Sequence, residues 1–155
     1  MRILMVCLGN ICRSPLAEGI MQQRAMDAGL KWSVESAGTG SWHIGEPPHH
    51  LSTKVAKMNG VDISKQKARQ FVKEDFQRYD FIYVMDSSNY QDVKHMSGHL
   101  FNDEKIDLLL NELYPGENRS VPDPWYGKED GYHKVFELID AACRKIVQKH
   151  KQEVR

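Results

Sequence analysis

The sequence predicts an α/β fold in three layers, α-β-α, with helices on both faces of a central four-stranded parallel sheet. Two observations carry this reading. Short apolar, β-rich runs alternate along the chain with segments of helical periodicity, the pattern of strand–helix–strand crossovers. One of these runs, Phe81-Ile82-Tyr83-Val84-Met85, is apolar without interruption, as suits a strand covered on both faces.

Arg2 to Val6 reads as the first strand and ends at Cys7, after which Gly9 and Asn10 break the pattern and Ser14-Pro15 marks a helix start. From Leu16 to Met26 the residues Leu16, Ala17, Ile20, Met21 and Ala25 recur at helical spacing, with Gly29 as a stop. Trp32 to Ala37 is the second strand. The Gly, Ser and Pro content between Gly38 and Pro48 predicts a loop, and Leu51 to Met58 a second helix closed by Gly60. Tyr79 to Met85 is the third strand, Ser87 to Ser97 a helix, and Ile106 to Leu110 the fourth strand. A polar stretch from Pro115 to Asp123 is too long to be idle. Tyr132 to Val147 then places Val135, Leu138, Ile139, Ala142 and Ile146 on one face of a terminal helix, with Lys145 and Lys149 near its negative end. With neither repeat nor linker in view, residues 1–155 read as one domain. Open parallel sheets bind ligands beyond the carboxyl ends of their strands, and Cys7 sits at that edge.

Twenty-one Lys and Arg balance 21 Asp and Glu, so no global field draws the chain to nucleic acid or an anionic membrane. Any anion site must be built locally. The run Ile3 to Val6 is too short for a secretory core, and no later run approaches membrane-spanning length, so a cytoplasmic protein is expected. Three cysteines cannot all pair within the chain, and a reducing compartment makes cysteine chemistry the question. Cys7-x4-Cys12 is not a Cys-x-x-Cys redox motif, and Cys143 lies far away in a helical segment. No second Cys or His pair stands at zinc-ligand spacing, and the seven histidines, His49-His50 among them, read as surface residues. Neither metal nor organic cofactor is expected.

Cys7-Leu8-Gly9-Asn10-Ile11-Cys12-Arg13-Ser14 lies between a strand and a helix. Successive backbone N–H groups of a tight loop can point inward as an anion nest, and the helix N-terminus adds partial positive charge. Gly9 and Asn10 are suited to left-handed backbone, and Arg13 offers a planar fork for two phosphate oxygens. The same positive environment favours a nucleophilic thiolate on Cys7, to which Ser14 could donate a hydrogen bond. A buried structural cysteine followed by a surface arginine is the bland alternative. The strand before the loop, Gly-Asn within it and Ser-Pro after it favour a site for phosphate or another oxyanion.

Val6 to Pro15 resembles the signature loop of the low-molecular-weight protein tyrosine phosphatases. Glu35-Ser36-Ala37-Gly38-Thr39, Ile44-Gly45-Glu46-Pro47-Pro48, Ala68-Arg69-Gln70, Val84-Met85-Asp86 and Asp123-Pro124-Trp125-Tyr126 follow in that family's order and approximate spacing, so the resemblance spans essentially the whole chain. It implies a flavodoxin-like sandwich and hydrolysis of phosphotyrosine in a protein substrate through a cysteinyl-phosphate on Cys7. It also implies that Arg13 and the loop residues Leu8 to Cys12 and Ser14 hold the phosphoryl group. Asp123, by itself readable as a surface turn between Pro122 and Pro124, takes the place of the family's general acid and base. Trp42, Trp125 and Tyr126 would wall a slot for the phenyl ring, or else simply anchor their loops.

A supporting network implied by the family comprises Asn10, Ser14, Ser36 and Gln66, where relatives commonly carry histidine in place of Gln66. Cys12 matches the family's second loop cysteine, implying a reversible, redox-sensitive Cys7–Cys12 disulfide. An arsenate reductase on the same scaffold would need a further relay cysteine, and only Cys143 remains. An arginine phosphatase tends to carry threonine where this chain has Ile11. A noncatalytic phosphate-binding module would have no need of Cys7 paired with Asp123. A flavodoxin-like cofactor binder would set a thiolate against its own ligand's phosphate.

Overall fold

In a computed structural model that describes residues 1–154, four strands form one parallel sheet: β1 (Arg2–Cys7), β2 (Ser33–Gly38), β3 (Phe81–Val84) and β4 (Ile106–Leu108), in the order β2-β1-β3-β4. Five α-helices connect or flank them: α1 (Arg13–Asp27), α2 (His50–Met58), α3 (Asp75–Arg78), α4 (Ser87–Ser97) and α5 (Glu129–Val154). The architecture is the expected three-layer, flavodoxin-like sandwich. β1 is central and apolar on both faces, because alternate residues feed different cores. Ile3, Met5 and Cys7 join a cluster with Leu16, Ile20, Val55, Tyr132 and Ile139 from α1, α2 and α5, whereas Leu4 and Val6 join one with Phe71, Phe76, Ile82 and Val93 on the other side.

The differences from the sequence reading lie at element ends and in short pieces. The first helix starts at Arg13, three residues before its first apolar position, and the last runs from Glu129 instead of Tyr132. The terminal turns of α5 are polar and Gly131 lies in its first turn, so apolar spacing undercounts it. The third strand is shorter than Tyr79 to Met85, with Tyr79 closing α3, and the fourth is shorter than Ile106 to Leu110 because Leu109–Glu112 turns into a 3₁₀ helix. The four-residue α3 is too short to show a period.

β1 lies between β2 and β3, so the chain leaves the carboxyl ends of β1 and β3 on opposite sides of the sheet and opens a crevice there. The loop from Leu8 to Cys12 occupies that crevice. No helix among the described residues is long and apolar enough to cross a membrane.

Candidate active site

The loop after β1 is shaped by what its carbonyls do. The Cys7 and Leu8 carbonyls accept from the Thr39 and Gly40 amides, the Ile11 carbonyl from the His49 amide, and the Cys12 carbonyl from Ser52 Oγ. Turning four carbonyls outward leaves the intervening N–H groups to face inward, and the Asn10 amide donates to Cys7 Sγ at 3.3 Å. Of the two residues suited to left-handed backbone, Asn10 adopts it (φ 57°) and Gly9 does not. Gly9 lies close to a neighbour instead: a Cβ there would stand 3.3 Å from the His43 ring, a tight contact. Gly38 passes beneath the loop, where a Cβ would come within 2.8 Å of the Leu8 carbonyl oxygen. Helix α1 starts at the loop's end with no side chain capping it, so its N-terminal dipole is open to an anion.

Cys7, Leu8, Gly9, Ile11, Cys12, Arg13, Trp42, His43, Asp123, Trp125 and Tyr126 line a cleft of about 200 Å³. Arg13 is almost wholly buried, and its Nη1 donates to Asp86 Oδ2 at 2.7 Å and to the Val121 carbonyl at 3.1 Å. Burial opposes the guanidinium charge, but the Cys7 sulfur and the Asp86 carboxylate outweigh it and hold Arg13 above its ordinary pKa. Its Nη2 stands 3.9 Å from Asp123 Oδ2. The other Asp123 oxygen accepts from the Trp125 amide at 3.0 Å, capping the 3₁₀ turn Pro124–Tyr126 and fixing the carboxylate at the cleft rim.

Trp42 and Tyr126 are strongly exposed, at 70% and 92%, so they form an open rim. Trp125 is held more firmly, with its ring against His49 (5.4 Å, edge-on) and His43 (5.7 Å). His49 stacks in turn on Tyr132, whose hydroxyl lies 3.7 Å from Cys12 Sγ. Burial pushes the Cys12 thiol up to about 12 and lowers the pKa of His49, so both are neutral near pH 7.

Asn10 and Ser14 do not line the cleft. Both are buried behind Cys7: Ser14 Oγ is 3.1 Å from Cys7 Sγ, and Asn10 Nδ2 donates to Ser14 Oγ at 2.8 Å and to Ser36 Oγ at 3.0 Å. Asn10 Oδ1 accepts from the Arg69 amide at 3.0 Å, which draws in the Ala68-Arg69-Gln70 segment. Gln66 stands apart from this network. It donates instead to the Pro15 carbonyl at 3.1 Å and leaves its own Oε1 buried without a partner. The Ser36 hydroxyl donates to Glu18 Oε1 at 2.7 Å.

Sequence reasoning missed Glu18, Asp86 and His43. Asp86 was visible within Val84-Met85-Asp86, but its residue type announces only the cap it also makes on Asn89 of α4. Among the described residues no cluster of three or more His, Cys, Asp or Glu is placed to hold a metal ion.

A loop bearing a thiol and an arginine at the carboxyl edge of a 2-1-3-4 parallel sheet is the arrangement to be matched with a class, and the class is a phosphatase one. The chain belongs to the low molecular weight phosphotyrosine protein phosphatase family, whose model matches residues 2–155. It is 37% identical over 155 residues to the low molecular weight protein-tyrosine-phosphatase YfkJ of Bacillus subtilis, covering 97% of each chain. It superposes on a protein tyrosine phosphatase crystal structure from Entamoeba histolytica with TM-score 0.90 at 34% identity, covering 100% of this chain and 99% of that one. Vibrio vulnificus Wzb in complex with benzylphosphonate matches with TM-score 0.85 at 28% identity, covering 96% and 97%.

Proposed function

We propose that the protein hydrolyses phosphotyrosine in protein substrates through a cysteinyl-phosphate formed on Cys7. The observation that carries this reading is the placement of Cys7 Sγ, Arg13 and Asp123 around one cleft with aromatic side chains at its mouth. In the first step the thiolate attacks phosphorus, the S–P bond forms and the P–O bond to the phenol breaks. Asp123 gives its proton to the departing oxygen. In the second, Asp123 as carboxylate takes a proton from water as that water attacks phosphorus, phosphate leaves and the thiolate is restored. Arg13 and the inward amides hold the equatorial oxygens, and Asp86 with the Val121 carbonyl keeps the guanidinium plane still.

Ile11 and the Trp125 ring present apolar surface to the substrate, which suits a phenyl ring better than a guanidinium, and benzylphosphonate on the Vibrio relative is an aryl ligand of that kind. A second reading, phosphoarginine hydrolysis, has no comparable observation in its favour. Single-domain organisation and a cytoplasmic setting belong to the same proposal.

Asp123→Asn should lower kcat for phosphotyrosine peptide about a hundredfold or more, and less for an aryl phosphate whose phenolate leaves unaided. Equal losses on both substrates would remove Asp123 from the acid's role. Turnover of phosphoarginine peptide above phosphotyrosine peptide would overturn the substrate class.

A further inference from the structure

One histidine joins the segments that build the cleft. The His49 amide donates to the Ile11 carbonyl in the loop after β1 at 2.7 Å. Its ring stacks on Tyr132 of α5 (5.2 Å) and stands edge-on to Trp125 (5.4 Å) in the loop that carries Asp123. His49 is also the N-cap of α2, where its Nδ1 accepts from the Leu51 amide at 3.1 Å. A backbone N–H can only donate, so Nδ1 carries no proton here and the imidazole is neutral, protonated on Nε2. An imidazolium would set an N–H on Nδ1 against the Leu51 N–H, at the positive end of α2. It cannot keep both the cap and the ring position that the cap fixes.

The groups around the ring offer a cation no partner. His50 stacks on it at 4.4 Å, and burial keeps the Tyr132 hydroxyl and the Cys12 thiol behind it protonated. Three carboxylates of the neighbouring segments are engaged elsewhere: Asp123 by the Trp125 amide, Glu46 by His43, and Glu129 by Lys54 and His133. Burial first and His50 second place the His49 pKa below its ordinary 6.5.

We propose that His49 is a positioning residue whose neutral ring holds Trp125, and through the Trp125 amide the Asp123 carboxylate, so that protonation of His49 releases the acid from the cleft rim. The proposal rests on the reading of Asp123 as general acid. Its sign separates it from two simpler effects. Asp123 serves as acid in its protonated form, so its own titration favours turnover toward low pH, whereas release of the loop opposes turnover there. Cation–π attraction of an imidazolium to Tyr132 and Trp125 would tighten the loop on protonation. Lost capping, the α2 dipole, burial and His50 all act against that attraction.

The test has two readouts. The first is the Trp125 indole N–H resonance across pH, identified by its loss in Trp125→Phe. It should move in one step with a midpoint below 6.5. His49→Asn, which keeps a good cap but neither ring nor titration, should abolish the step. His50→Gln, at an exposed position in a chain that keeps His49, should move the midpoint to higher pH. A step that survives in His49→Asn, or that disappears in His43→Gln instead, would overturn the proposal. The second readout is kcat/KM on phosphotyrosine peptide divided by kcat/KM on an aryl phosphate whose phenolate leaves unaided, a ratio that isolates the acid from Cys7 and Arg13. Wild type should exceed His49→Asn in this ratio about fivefold near pH 7 and converge on it near about pH 5. A gap that stays constant would reduce His49 to a structural cap, and one that widens toward low pH would mean the cation holds the loop; either overturns the proposal. If Asp123→Asn left the ratio unchanged, the acid assignment would fall, while the indole titration would still judge the hold of His49 on Trp125.

Discussion

Glu18 makes a stability prediction with a definite sign. Its carboxyl, ordinarily near 4.5, is pushed up to about 7 chiefly by burial, with the Ser36 hydroxyl only partly offsetting that push. The folded protein therefore binds this proton more tightly than the unfolded chain. The contribution is favourable below about pH 4.5, erodes as pH rises through the window to about 7, and is lost above it. At about 1.4 kcal/mol per pKa unit, the loss across the window is on the order of 3 kcal/mol. Glutamine has nearly the shape of the protonated acid and does not ionise. Glu18→Gln should thus match wild type near pH 4.5 and exceed it by a margin growing toward the order of 3 kcal/mol near pH 8. Urea unfolding at a series of pH values, followed by circular dichroism at equal protein concentration, reads this margin directly. A flat difference between the two proteins, or a margin that shrinks as pH rises, would refute the account of Glu18 as a carboxyl held in a dehydrated site.

Two more outcomes follow from the pairing around the loop. Arg13→Lys keeps the charge but loses the fork shared among phosphate, Asp86 and the Val121 carbonyl, and kcat should fall on the order of a hundredfold in steady-state assays; a loss confined to KM would contradict a transition-state role. Asp75, fully buried, accepts from both terminal nitrogens of Arg69 (3.0 and 3.1 Å) and from the Val72 amide, so Asp75→Ala should cost about 3 kcal/mol of unfolding free energy. Because the Arg69 amide orients Asn10, that variant should also lose turnover while it remains folded.

What the sequence disclosed and what it hid divide along contact range. The Cys7–Arg13 loop is contiguous, and its strand before and helix after are local signals, so its place between β1 and α1 could be read from the sequence, though not which of its side chains face the cleft. β1 and β3 were visible because each is a dense apolar run, and β1 serves two cores at once, whereas β2 carries only Val34 and Ala37 as apolar residues and is marked by its place between α1 and a Gly-rich loop. Glu18 was invisible for the opposite reason. On α1 it looks like one more polar residue of a solvated face, and only the approach of Ser36 on β2 gives it a hydrogen-bond partner. Asp86 likewise reads as a helix cap until Arg13 reaches it from 73 positions away in the chain. Gln66 was placed in the network by analogy with histidine. An amide with a nearer acceptor, the Pro15 carbonyl, takes that instead. Gly9 and Asn10 look equivalent as turn formers, but of the two only Asn10 has the positive φ, and its side chain is held on both sides by hydrogen bonds.

The central claim is the covalent phosphoryl-enzyme on Cys7. The most direct test is rapid acid quench of the protein mixed with an aryl phosphate whose phenolate leaves unaided, followed by mass mapping. The account predicts a phosphate adduct on the peptide bearing Cys7, formed with a burst of phenolate ahead of phosphate release, with neither adduct nor turnover in Cys7→Ser. Turnover retained by Cys7→Ser, or phosphate on another residue, would contradict it.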